Sequence, residues 1–171
     1  MRSRSRNITI CAAYTALGLV LGYIESFIVF PIHVPGIRIG LANIITVLCL
    51  YTLGFSYTAI VLVIRVSLSA LLFGSPVSFV YSLTGAIIAL LGMYSLKRMD
   101  FSVYGVSFLG AVLHNISQTI VAYFMVSSVY IFTYLPVLII WGSFAGLLTG
   151  FIANVMIKRI SRLTEYDQEV K

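Results

Sequence analysis

Apolar residues run along this chain in six long blocks, at about 8–27, 37–53, 56–74, 77–95, 103–126 and 136–158. None shows the strict apolar–polar alternation of a half-buried strand. Each comes close to the ~20 residues that an α-helix needs to cross a bilayer core. The pattern predicts an all-α membrane protein, a bundle of six transmembrane helices forming one integral membrane domain over residues 1–171. The breaks between blocks differ in kind. Gly54 marks a tight turn between spans two and three, and Gly74-Ser75-Pro76 another between three and four. Before span two, Pro31, His33, Pro35 and Gly36 lead into Arg38-Ile39-Gly40, which argues against continuous helix and for a structured loop that dips inward. The segment from Ser127 to Pro136 is aromatic and uncharged (Tyr130, Phe132, Tyr134), as in an interfacial belt, with a lid over a solute as the other reading.

Composition agrees with the pattern. Hydrophobic residues make up 60% of the 171 and charged residues 9%, with a mean hydropathy of +1.06. A soluble domain carries about a quarter charged residues. The first block is too long for a signal-peptide core and lacks a small-residue cleavage site, so it is expected to remain as span one. The net charge of +6 raises nucleic acid as a partner, but its placement rejects that. Arg2, Arg4 and Arg6 precede span one, Lys97 and Arg98 sit between spans four and five, and Lys158, Arg159, Arg162 and Lys171 follow span six. With both termini on one side, nine of the eleven basic residues share that side, leaving Arg38 outside and Arg65 within. The excess marks it as cytoplasmic. Glu165 to Glu169 is expected to be an exposed tail. Cys11 and Cys49 lack metal-ligand spacing and a nearby base, and are expected to be small core residues.

Small residues mark where helices meet. Gly142, Gly146 and Gly150 recur every four residues in span six, and span one carries two pairs at that spacing, Ala12 with Ala16 and then Gly18 with Gly22. Without water to drive association, helices in lipid pack through such flat faces.

The chemistry lies in a polar layer. Arg65 interrupts an otherwise apolar run, and a cation at the bilayer centre costs ~2.5–3.5 kcal/mol even on the lenient insertion scale, so it persists where it faces a protected polar interior. At about 1.5 Å per residue it stands ~13 Å up its span, with His114 at ~17 Å, Gln118 at ~23 Å and Asn43 ~9 Å below the outer end of span two. His114, Asn115 and Gln118 fall within ~100° on one face of span five. Glu25, the one acid in the outer half, is ~12 Å higher than Arg65, so a direct ion pair is strained. An anionic ligand group or a cluster of neutral amides is the alternative partner, and a satisfied structural arginine remains open. Tyr81 and Tyr123 are candidate walls, and Arg38 is placed to meet an entering solute.

Two stretches carry a family resemblance. Pro35-Gly36-Ile37-Arg38-Ile39-Gly40-Leu41-Ala42-Asn43, followed by Gly110-Ala111-Val112-Leu113-His114-Asn115-Ile116-Ser117-Gln118, resembles the Gx transporter family, also labelled heptaprenyl diphosphate synthase component I. That family is grouped with the S components of energy-coupling factor (ECF) transporters. The resemblance implies a bacterial cytoplasmic-membrane protein with an intramembrane solute site, served by a transmembrane coupling subunit and two ATPases. It also implies that Ala12 and Ala16, similar to an Ala-x-x-x-Ala motif of several S components, meet the coupler. Arg65, Asn43, His114, Asn115, Gln118 and Arg38 become the substrate-binding set.

The synthase label is testable on the residues. A diphosphate-bound Mg²⁺ needs several carboxylate oxygens, and this chain has two aspartates, Asp100 and Asp167, far apart. It also lacks a glycine-rich phosphate loop with a lysine. It is therefore expected to be neither that catalyst nor an ATPase, and no cofactor is expected. His114 and His33 do not fall on facing spans as a bundle haem requires. Two functions remain: the solute-binding subunit of an importer for an anionic, isoprenoid, quinone-precursor or vitamin-like solute, and a membrane scaffold in a respiratory or prenyl-quinone assembly. A channel fits less well, because the polar layer does not continue through the bundle.

Overall fold

The computed structural model describes residues 2–28 and 39–169. The chain forms the expected all-α bundle: α1 (Arg2–Ser26), α2 (Leu41–Thr52), α3 (Phe55–Phe73), α4 (Pro76–Arg98), α5 (Val103–Val126) and α6 (Leu135–Glu169), with a short 3-10 helix, Val129–Tyr134, before α6. Among the described residues, all but α2 are long and apolar enough to cross a membrane, and the protein is a multi-pass membrane protein. Leu71, Phe124, Phe144 and Ile140 are among the many large apolar side chains left exposed on its outside. Such a surface suits lipid and not water. Tyr130 and Tyr134 in the 3-10 segment are exposed too, while Phe132 packs its ring 5.4 Å from that of Tyr123. Helix α6 keeps its backbone conformation to Glu169, through the stretch expected to be a tail.

Local sequence sets the ends. Ser75 accepts from the Ser78 backbone N–H while Ser78 Oγ accepts from that of Ser75, a reciprocal cap with Pro76 in the first turn of α4. Gly54, at φ 85°, makes the turn between α2 and α3 that a residue with a Cβ resists. Glycines set the spacing of α5 and α6. A Cβ at Gly146 would stand 2.9 Å from Phe108 Cα and 3.0 Å from Ser107 O, and one at Gly150 would stand 3.1 Å from Tyr104 Cα. The α6 stripe thus packs inside the chain, against α5.

Helix α2 differs from its expected span. It is described as 12 residues, about 18 Å long, against a hydrocarbon core of about 30 Å. It is also the centre of the bundle. Every other long helix touches it, and Ile44 to Leu50 are buried without a break. One face (Ile44, Val47, Leu50) packs into a core with Leu62, Leu90 and Val106, and the other (Ile45, Leu48, Cys49) packs against Tyr14 and Val61. A helix apolar all round is one enclosed by protein. Enclosure lets its ends lie inside the bundle, where backbone groups find protein partners.

Both ends are held by charged side chains from neighbours. At the start, Gly40 takes a left-handed conformation (φ 78°), and Glu25 of α1 accepts from the backbone N–H groups of Gly40 (2.5 Å) and Leu41 (3.2 Å). At the far end Lys97 of α4 donates to the carbonyl of Leu50 (2.6 Å), with its ammonium 4.7 Å from the centre of the Tyr51 ring. The signs match the helix dipole, carboxylate at the N-terminus and ammonium at the C-terminus. Lys97→Met is expected to lower unfolding stability in detergent by about 1–2 kcal/mol through loss of this bond and the ring contact. An unchanged unfolding midpoint would show that water replaces the ammonium there at no cost.

Candidate functional site

A cavity of about 130 Å³ opens inside the bundle. It runs alongside α2, and its lining changes character along its length. Counting from the end that carries the α2–α3 and α4–α5 turns, Met93, Leu62 and Gly110 stand ~8–11 Å up their helices and Ala111 and Ala89 ~12–14 Å up. Arg65 and His114 follow at ~15–17 Å, then Gln118 and Ser82 at ~23–24 Å. All of these residues line the cavity, as do Asn43, Asn115 and Glu25. One end is therefore small and apolar, and the other is polar.

Of the six residues predicted for the site, five come to this cavity: Asn43, Arg65, His114, Asn115 and Gln118. The sixth, Arg38, lies outside the described residues together with the Pro/Gly loop and His33. Tyr81 and Tyr123 are not among the lining residues. The α4 wall is built from Ser82, Ala86, Ala89 and Met93, on the adjoining face, and Tyr123 packs against Phe124 and Phe132. Ala12 and Ala16 are exposed on the outer face of α1, away from the cavity.

The five are not equivalent. Asn115 Nδ2 donates to the Leu138 carbonyl of α6 at 2.7 Å, so part of its amide is committed to holding α5 against α6. Gln118 is only 8% exposed, and no group of the described residues hydrogen-bonds its amide. The Asn43 side chain has no hydrogen-bond partner among the described residues either. Deeper in the cavity, polar groups are satisfied by the protein: Thr149 Oγ1 lies 3.0 Å from Ser107 Oγ.

Glycines place these side chains. A Cβ at Gly18 of α1 would stand 2.5 Å from Arg65 Cδ, so the arginine stem lies flat against α1 where that glycine leaves room. A Cβ at Gly85 of α4 would meet Gln118 Cγ at 2.9 Å and His114 Nδ1 at 3.1 Å. One at Gly142 of α6 would collide with the Asn115 amide. Each polar residue from α3 and α5 thus has a glycine of a different helix at its back. Sequence reasoning took Gly18 and Gly142 as helix contacts only, and did not single out Gly85. Glu25 was weighed only as a strained partner for Arg65. It is buried, two turns above Gly18 on α1, and its carboxylate serves the start of α2.

A sequence profile of the heptaprenyl diphosphate synthase component I family matches residues 14–156. The chain belongs to that family. The matched stretch contains every cavity residue named above. In fold, this family member is similar to a solved S component of a bacterial ECF transporter. The TM-score is 0.75 at 17% identity, with 94% of this chain and 98% of that one covered. A search of curated proteins found no match for this family member.

Proposed function

We propose that the protein is the solute-binding membrane subunit of an ECF-type importer, in a bacterial cytoplasmic membrane with its basic ends inside. The observation that carries this reading is the cavity inside the bundle with one polar end, lined by Arg65, His114, Asn43 and Gln118, in a bundle with the S-component fold. A pocket of that kind holds a small molecule: an apolar lining provides affinity and a few placed polar groups provide orientation. Arg65 supplies a fixed positive charge and planar donors suited to an anionic or carbonyl oxygen. The polar groups that line the cavity suit the holding of a solute, and the chemistry proposed is binding and not turnover. Ala12 and Ala16, exposed with Leu17 and Val20 on α1, form a flat apolar face for a transmembrane coupling subunit, which would bring two ATPases.

Native mass spectrometry of the purified protein, with identification of released small molecules, tests this. Wild type is expected to carry one solute, and Arg65→Ala to lower its occupancy by about tenfold, as loss of a charge-assisted hydrogen bond implies. An empty wild-type protein that co-purifies with respiratory or prenyl-synthase subunits instead of ATPases would replace this reading with that of a scaffold.

A further inference from the structure

The polar end of the cavity specifies more than charge. Gln118 is more than nine-tenths buried, borders the cavity, and has no hydrogen-bond partner among the described residues. Its primary amide is open to the cavity, where two N–H donors and one carbonyl acceptor are left for a solute or water to meet. Its backing is fixed, because Gly85 of α4 lies directly behind Gln118 Cγ and His114. Asn43, on α2, presents a second amide of the same kind to the same space. By contrast, Thr149 and Asn115 already bond to protein groups.

We infer that the solute carries a neutral donor–acceptor edge, of the lactam, carboxamide or urea type, read by the Gln118 amide, with a compact apolar body lying toward Met93. This rests on the reading of the cavity as a solute site. A carboxylate or a ketone accepts from the N–H groups of Gln118 and leaves its carbonyl unpaired. An adjacent N–H and C=O on the solute satisfies both through two parallel bonds. The apolar end favours a thin, rigid body, since Ala86, Ala89, Gly110, Ala111 and Ala145 project little into the cavity and Met93 adapts to its outline.

Three bicyclic probes of similar size separate the possibilities: 2-quinolone, with a cis lactam edge; 1-tetralone, with a lone carbonyl; and 2-naphthoate, an anion. Binding is read by isothermal titration to the full chain in lipid nanodiscs. The expected result is that 2-quinolone binds wild type at least about tenfold more tightly than the other two, because a site built around a buried hydrogen-bonding group rejects analogues that cannot answer it. In Gln118→Leu that preference disappears while 1-tetralone binding holds or improves. Should Gln118→Leu fail to fold, the order of the three probes on wild type still decides. If 1-tetralone or 2-naphthoate binds wild type as well as 2-quinolone does, the cavity is a solute site but the inferred edge is wrong. If none of the three binds, the inference falls together with the solute-site reading.

Discussion

Gly146→Leu is expected to destroy the folded bundle, with a loss of about 3 kcal/mol or more and little monodisperse protein on size exclusion in detergent. The first atom of the new side chain already has no room. A Cβ there would stand 2.9 Å from Phe108 Cα, 2.9 Å from Ala111 Cβ and 3.0 Å from Ser107 O, and two of these are backbone atoms of α5 that cannot rotate aside. The helices must part, which strains the Ser107–Thr149 and Asn115–Leu138 bonds on the same seam. Overpacking of a close-packed interior costs about 1–3 kcal/mol where side chains can adjust, and more where they cannot. Gly92→Ala is the control. Its nearest neighbour is Leu113 Cδ1, the free end of a flexible side chain, so its effect should be much smaller. Equal unfolding midpoints for Gly146→Leu and wild type would refute the seam as described.

The second large effect is expected from Glu25→Ala, which removes the carboxylate that accepts from Gly40 and Leu41. Hydrogen bonds to a charged group contribute about 1.5–3 kcal/mol each, and the two N–H groups would be left without their partner inside the bundle. A net loss of about 3 kcal/mol is expected in thermal or denaturant unfolding of the purified protein. Glu25→Gln keeps one acceptor oxygen and should lose about half as much. If the two variants lose the same amount, the charge matters and the geometry of the cap does not. If neither loses stability, the start of α2 is held by something else.

Much of this was legible in the chain. Arg65 stood out because a cation inside an apolar run needs a protected place, and 100° per residue put His114, Asn115 and Gln118 on one face. What helical counting cannot supply is the contact between helices. Gly18 and Gly142 were visible as small residues, but that they back Arg65 and Asn115 depends on how α1 and α6 pack. Gly85 offered no spacing pattern at all. The shortness of α2 was hidden because Ile37 and Ile39 extend its apolar run past Gly40, so hydropathy alone reads one longer span. The role of Glu25 was hidden for a related reason. Its partners are backbone groups 15 and 16 residues away, and no side-chain pattern announces a backbone donor.

The two charged caps on α2 have a mechanical consequence. A shift of α2 along its own axis by one residue, about 1.5 Å, pulls Gly40 from Glu25 or Leu50 from Lys97, and no shift in either direction spares both. The central helix is thus pinned in register at each end by a different neighbour, α1 at one and α4 at the other. It is placed as an axle: in any rearrangement of the bundle, the surrounding helices are expected to pivot or tilt about a rod that does not slide.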